Sequence, residues 1–115
     1  MSLNAFMPLG KTIEIDAPIV TPPTGVRAST FSGTLSPATV FRIRNSGSSD
    51  VAFAWGVDAA EAQTNAVFPT SGTPQKCIVL GSGTIETFTL PSGSFFSALS
   101  LAGTAQVFVT PGEGQ

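Results

Sequence analysis

Few residues of this chain carry side chains suited to catalysis. Its 115 residues include no histidine and one cysteine, Cys77, so acid–base chemistry would depend on seven aspartates and glutamates. Without histidine, neither a Ser-His-Asp nor a Cys-His arrangement can form, and the common zinc ligand sets are incomplete. We therefore expect a protein that is not an enzyme and that binds neither a metal nor a cofactor.

Three local patterns still invite a chemical interpretation. Glu14 and Asp16 would share one face of a strand, as a carboxylate pair of a glycoside hydrolase could, but two solvated strand residues are the simpler interpretation. The stretch Gly81-Ser82-Gly83 has no helical pattern after it, which favours a turn over a phosphate-binding loop. Cys77 lies in an apolar run that ends at Leu80, which predicts a core thiol.

The composition predicts one domain, residues 1–115, whose surface is partly covered by other protein. Charged residues make up 10% of the chain, well below the roughly 25% that is typical of soluble domains. The net charge of −2 argues against a nucleic-acid partner, which requires clustered lysine and arginine. No apolar run approaches the roughly 18 residues of a membrane span, and the first ten residues lack the features of a secretion signal.

The centre of the chain alternates apolar and polar residues on both sides of a small polar turn. Residues 40–45 and 51–57 flank residues 46–50, which predicts an antiparallel hairpin with Asn45 opposite Val51. One face of this hairpin would bury a set of large apolar side chains. The other face would carry two arginines above a lane of small residues. The buried set is Phe41, Ile43, Phe53 and Trp55, and the opposite face holds Arg42, Arg44, Ala52, Ala54 and Gly56.

The rest of the chain reads as short strands with one helical segment. Asp58 and Glu61 have the spacing of a helix capping box, which predicts one or two helical turns. Residues 95–101 and 104–110 predict a second hairpin, closed near Ala102-Gly103. Further strands are predicted at residues 11–16, 26–31, 76–80 and 85–90. About eight strands and little helix favour an all-β fold, either an antiparallel β-sandwich of the jelly-roll type or a small barrel.

Several segments are candidates for contact with another subunit. Residues 1–10 are either a first edge strand or an arm that docks on a neighbour, and residues 111–115 form a tail with nothing to pack against. Arg42 and Arg44 are either solvated or bind carboxylates of a partner. Phe108 points away from its valine neighbours, into a second core layer or onto a contact surface. The predicted interface residues are Leu3, Phe6, Met7, Leu9, Arg42, Arg44 and Phe108.

Three stretches carry a resemblance to a known group of proteins. These are MSLNAFMPLGKTIEI at residues 1–15, FRIRNSG at residues 41–47 leading to AWG at residues 54–56, and AQVFVTPG at residues 105–112. Together they resemble small virion proteins of tailed bacteriophages, which are similarly short, nearly all β, and largely free of histidine and cysteine. Cys77 departs from that pattern.

The resemblance implies a protein of the virion, made in the cytoplasm of the bacterial host. We expect a protein that decorates or cements the outside of the capsid, with itself and the major capsid protein or another virion protein as partners. A head–tail connector or tail component is the alternative within this class. From a different class, a small module that binds carbohydrate or a host surface stays open. Its sugar platform would require phenylalanines or Trp55, the only tryptophan.

Overall fold

The computed structural model describes residues 5–114, which form two antiparallel β-sheets packed face to face, with one short helix. No helix in this part of the chain has the length and apolar character needed to cross a membrane. The elements in chain order are β1 (Met7–Pro8), β2 (Ile13–Ala17), β3 (Val26–Arg27), β4 (Val40–Asn45), β5 (Val51–Gly56), α1 (Ala59–Asn65), β6 (Cys77–Leu80), β7 (Ile85–Thr89), β8 (Phe95–Ser100) and β9 (Ala105–Glu113).

The strand order is that of a jelly roll. Sheet A contains β1-β9-β4-β7, with β2 also paired to β9, and sheet B contains β3-β8-β5-β6. The pairs are nested, because β5 pairs with β6, β4 with β7, β3 with β8 and β2 with β9. The nested pairs form one long hairpin with α1 at its closed end, between β5 and β6. This hairpin is wound so that its strand pairs alternate between sheet A and sheet B. This confirms the predicted all-β sandwich of the jelly-roll type.

Both predicted hairpins are wrong in their pairing. Strand β4 lies in sheet A and β5 in sheet B, so Ile43 is paired with Glu86 and Val109 rather than with Phe53. Strands β8 and β9 are likewise split between the two sheets. Alternation with period two specifies which face of a strand is buried, but it does not specify the partner strand. Residues 46–50 therefore cross the roughly 10 Å between packed sheets instead of reversing within one sheet.

The buried face of the central strands is largely as predicted. Phe41 and Ile43 of sheet A and Phe53 of sheet B are all buried in one core. They meet across the sandwich, with Phe96 of β8 packed between Phe41 and Phe53. Trp55 departs from the prediction, because it is only half-buried and lies at the margin of the core.

The small residues of β5 are covered rather than exposed. Ala52, Ala54 and Gly56 are buried on the face of sheet B that points away from the core. Helix α1 covers this face so closely that a Cβ on Gly56 would lie 2.7 Å from the backbone nitrogen of Ala62. Arg42 and Arg44 project from the outer face of sheet A. The predicted lane of small residues beneath them is therefore on the opposite side of the molecule.

Helix α1 begins as its capping residues predict. Asp58 is the N-cap, and its Oδ1 accepts a hydrogen bond of 2.8 Å from the backbone N–H of Glu61. The Glu61 carboxylate in turn accepts a bond of 3.2 Å from the N–H of Val57. These bonds satisfy backbone donors at the helix start that have no partner within the helix.

Asn45 cross-links two loops at one end of the sandwich through hydrogen bonds of its side chain. This side chain is fully buried, and its Nδ2 donates to the carbonyl oxygens of Ser49, Leu80 and Gly81 at 2.9, 3.2 and 3.2 Å. Its Oδ1 accepts from the N–H of Gly47 at 2.9 Å. One amide therefore ties the loop after β4 to the loop after β6, which stabilises both crossings between the sheets.

The two terminal segments pack together on sheet A. Strand β1 pairs with the end of β9, with Met7 opposite Glu113. Residues 111–113, predicted as part of a loose tail, instead continue β9 alongside β4, and Pro111 is buried. The prediction failed because proline and glycine usually end a strand, whereas here the edge strand β1 and the neighbouring β4 supply partners for the backbone.

Candidate interaction surface

The outer face of sheet A brings charged and apolar side chains into rows across four strands. In one row, Glu14 of β2 is opposite Phe108 of β9, Phe108 is opposite Arg44 of β4, and Arg44 is opposite Ile85 of β7. Thr110 and Arg42 are opposite each other in the adjacent row. We call this surface the A face. Its members are Glu14, Asp16, Arg42, Arg44, Ile85, Gln106, Phe108 and Thr110.

The A face contains a groove formed largely by predicted interface residues. Arg42, Arg44, Phe108, Ile85 and Thr110 line an open depression of about 330 Å³. Both arginines are exposed, whereas Phe108 is half-buried. Phe108 therefore lies on the outer surface rather than in a second core layer. The sheet order places β9 beside β4 and so unites residues that are distant in the sequence.

Phe6 joins the same surface from the N-terminal segment. The guanidinium carbon of Arg42 lies 4.7 Å from the centre of the Phe6 ring, within the range of a cation–π contact. The ring also covers Gly112 of β9, where a Cβ would collide with it. Phe6 thus continues the uncharged strip that Phe108 and Thr110 form along β9, and its ring contacts the Arg42 side chain.

Met7 and Leu9, which are also predicted contact residues, do not line the groove. Met7 and Leu9 are exposed by 54% and 38%, and the Leu9 N–H donates to the carbonyl of Pro111 at 2.8 Å. In the described residues, this segment is an edge strand laid on its own domain. Leu3 falls outside the described residues.

Charge on the A face is arranged in two stripes. Glu14 and Asp16 form an acidic stripe on β2, and Arg42 and Arg44 form a basic stripe on β4. Strand β9 separates them and carries no charge between Gln106 and Thr110. The two stripes are two strand spacings apart, roughly 10 Å. The face therefore offers an anion site, an uncharged strip and a cation site side by side.

Ile85 and Glu14 were not among the predicted interface residues. Ile85 is 55% exposed and shares its strand face with Thr87 and Thr89. A single apolar residue on an otherwise polar strand face was the available signal. The place of Glu14 depends on the pairing of β2 with β9, which no local pattern reveals.

A second concave site lies at the opposite end of the molecule from Asn45. Its cleft of about 410 Å³ is bordered by Trp55 and by polar groups of Glu61, Asn65 and Lys76. The turn at residues 91–94 closes the other side. The Asn65 side-chain amide donates to the carbonyl of Trp55 at 3.0 Å, which links α1 to the end of β5. The half-buried indole is therefore accessible from this cleft.

Cys77 lies at the start of β6, where it is half-buried rather than in the centre of the core. Its Sγ donates to the carbonyl of Val67 at 3.2 Å, and burial raises the pKa of the thiol above its ordinary value. Since the thiolate is the reactive form, both effects lower the reactivity of this cysteine at neutral pH.

Comparisons with known proteins found no relative of this chain. Neither a family model, nor a curated protein, nor a solved structure matches the chain. Within residues 5–114, no group of three or more potential metal ligands is close enough to hold an ion. The function is therefore inferred from the two surfaces described above.

Proposed function

We propose that the protein is a non-enzymatic structural component of a tailed-phage virion, which decorates or cements the outside of the capsid. The observation that carries this proposal is the A face, where two exposed arginines lie beside apolar side chains in a single groove. In a chain so poor in charge, such a face is suited to burial against protein. The jelly roll is compatible with this role, but it also occurs in lectins and other proteins and does not select a function.

The mechanism would be additive burial at seams between capsid subunits. Each arginine presents a planar fork that can donate two hydrogen bonds to a carboxylate of the partner. The neighbouring side chains of Phe6, Ile85 and Phe108 would exclude water from these bonds and strengthen them. Every bound copy would then stabilise the assembled shell relative to its dissociated subunits, by mass action.

The direct test is the amount of this protein in purified particles, measured relative to the major capsid protein. Decoration predicts hundreds of copies for each particle and rebinding of the purified protein to emptied capsids. A few copies located at one vertex would support the connector or tail alternative instead. Absence from particles would overturn the virion role.

A pair of charge variants locates the interface. Arg42→Glu combined with Arg44→Glu should leave the melting temperature nearly unchanged, because both side chains are exposed, while capsid occupancy falls sharply. The matched control is Arg27→Glu combined with Lys76→Glu, which changes the net charge equally on other surfaces. Arg27 also lies over an aromatic ring, that of Phe95 at 5.0 Å. Equal occupancy of the two variants would exclude the A face from the interface.

The cleft at Trp55 supports a second candidate, a carbohydrate- or host-surface-binding module. A half-buried indole with a carboxylate, an amide and an ammonium group around it offers a flat apolar surface with hydrogen-bond donors and acceptors at its rim. Glycan titration monitored by Trp55 fluorescence tests this function. A saturable change that Glu61→Gln weakens would favour the module, whereas an unchanged spectrum with every glycan of a broad panel would argue against it.

A further inference from the structure

The two charge stripes of the A face lie on the strands that flank β9, and they come level at one position. Asp16 is opposite Gln106 and Arg42 is opposite Thr110, so these two charges have no charged counterpart across β9. Strands β2 and β4 are the neighbours of β9 on either side, and both run antiparallel to it, so they run parallel to each other. Glu14 and Arg44 are both paired with Phe108 and therefore lie at the same height along the strands. The central strand thus has a carboxylate on one side and a guanidinium at the matching position on the other.

This arrangement is complementary to itself under a two-fold rotation. Consider two copies with their A faces opposed and the rotation axis parallel to β9, midway between the sheets. The rotation exchanges left and right but preserves the position along the strand. Phe108 then faces the Phe108 of the second copy, Glu14 faces Arg44, and Arg44 faces Glu14. A two-fold interface of this kind uses the same surface patch twice.

The residues along the axis suit such a contact. Phe108, Thr110 and Phe6, which lies over Gly112, form an uncharged strip that would meet its own copy. Sheets that pack face to face are about 10 Å apart and within roughly 30° of parallel. Arginine and glutamate side chains span that gap from opposite sides. The Phe6 ring already restrains Arg42, which lowers the entropy lost when this side chain is ordered at an interface.

We propose that the A face binds the A face of a second copy and forms a two-fold dimer with β9 along the axis. The proposal rests on the assignment of the A face as an assembly surface and names a second copy as its partner in solution, which a capsid subunit would have to displace. A second copy is favoured because, after rotation, each Glu14 faces an Arg44 and the uncharged strip on β9 faces its own copy. A surface with only one sign of charge would not have this property.

Charge exchange tests the proposal in solution, without a capsid. Sedimentation equilibrium of the full chain should give a dimer, and both Arg44→Glu and Glu14→Arg should raise its dissociation constant by about tenfold or more. The double variant Glu14→Arg with Arg44→Glu exchanges the stripes and should recover most of the affinity. Arg27→Glu serves as the control outside the face and should have no effect.

Covalent trapping tests the position of the axis. Phe108→Cys in a Cys77→Ser background places a thiol where the rotation brings it against its own copy, so mild oxidation should yield a disulfide-linked dimer. Glu14→Cys in the same background is the control, because its thiol would face Arg44 and should remain monomeric on oxidation. Reversal of this pattern would overturn the proposed axis.

The outcomes also separate this dimer from the virion role. A wild-type protein that is monomeric at all concentrations, or single charge variants that dimerise normally, would overturn the dimer while capsid binding could still be observed. A dimer that follows the predicted charge pattern supports the inference, even if the protein then fails to bind capsids. That failure would overturn the virion role alone.

Discussion

The ring of Phe41 meets the ring of Phe96 edge to face across the middle of the sandwich, with centroids 5.0 Å apart and an interplanar angle of 67°. Phe41 comes from sheet A and Phe96 from sheet B. Phe96 also stacks on Phe53, with centroids 5.5 Å apart. All three rings are essentially inaccessible to solvent, so this aromatic cluster is a principal contact between the two sheets.

Replacement of Phe96 by alanine should therefore be severely destabilising. The substitution removes both aromatic contacts and leaves a cavity, and we expect a loss of about 3–5 kcal/mol in the free energy of unfolding, measured by urea denaturation. Phe31→Ala is the control, because Phe31 is 63% exposed and its loss should cost at most about 0.5 kcal/mol. Similar losses for the two variants would contradict the core described here.

Replacement of Asn45 by alanine or by aspartate should lower the free energy of unfolding. Asn45→Ala leaves buried carbonyl oxygens without a donor, which costs about 1–3 kcal/mol for each group that stays unsatisfied. Asn45→Asp keeps the shape but directs a carboxylate oxygen at three carbonyls, so it should be less stable than Asn45→Ala at pH 7 and improve as the pH falls. Denaturation of both variants at two pH values checks this order.

Two glycines at the Asn45 end of the roll should respond differently to substitution by alanine. A Cβ on Gly47 would overlap the Cβ of Ala105, whereas one on Gly81 would meet only the methyl group of Thr84 at 3.4 Å. Neither glycine has a positive φ angle, so the comparison isolates packing from backbone conformation. Gly47→Ala should lower the melting temperature clearly and Gly81→Ala little; equal shifts would contradict the close approach.

The thiol of Cys77 should react slowly and with a shifted pH profile. Because burial raises its pKa, the rate of iodoacetamide modification in the folded protein should rise at higher pH than in an unfolded control. The unfolded chain then loses the thiol proton first, so stability should decline as the pH passes from the unfolded pKa towards the folded one. Cys77→Ser should remove this part of the pH dependence and retain the fold.

The fold class and the buried faces could be predicted because they depend on local patterns. Alternation in β4 and β5 identifies Phe41, Ile43 and Phe53 as core residues whichever strands become their neighbours. The pairing itself could not be predicted, since a loop such as residues 46–50 is compatible with a hairpin and with a crossing. The fully buried Asn45, which stabilises the crossing, looks in the sequence like a polar residue at the end of a strand.

The sequence predicts individual residues of the candidate surface, but not that they lie together. Strand alternation places Arg42 and Arg44 together on one face, and it turns Phe108 away from the valines of β9. Their union in one groove depends on the pairing of β4 with β9, which joins segments far apart in the chain. In the sequence, Glu14 and Asp16 indicate only a carboxylate pair on one strand face, because the register that places Glu14 level with Arg44 is a long-range property.

The nested pairing has a consequence for how the chain folds. Of the paired strands, β5 and β6 are the closest in sequence. Once they pair, they shorten the loop that must close to join β4 with β7, and each pairing then shortens the loop for the next pair outwards. We expect folding to proceed from the closed end towards β2 and β9, and to be slow because most contacts are long-range. Pulsed hydrogen exchange should protect the amides of β5 and β6 before those of β2.

During synthesis on the ribosome, the order in which the strands emerge leaves β2 without its partner. β2 leaves the ribosome before β3 to β8, and its partner β9 follows them, so β2 stays unpaired while those strands are made. An unpaired strand with exposed isoleucines is prone to aggregate with other nascent chains. Glu14 and Asp16 alternate with Ile13 and Ile15, and their negative charges would keep such strands apart until β9 arrives.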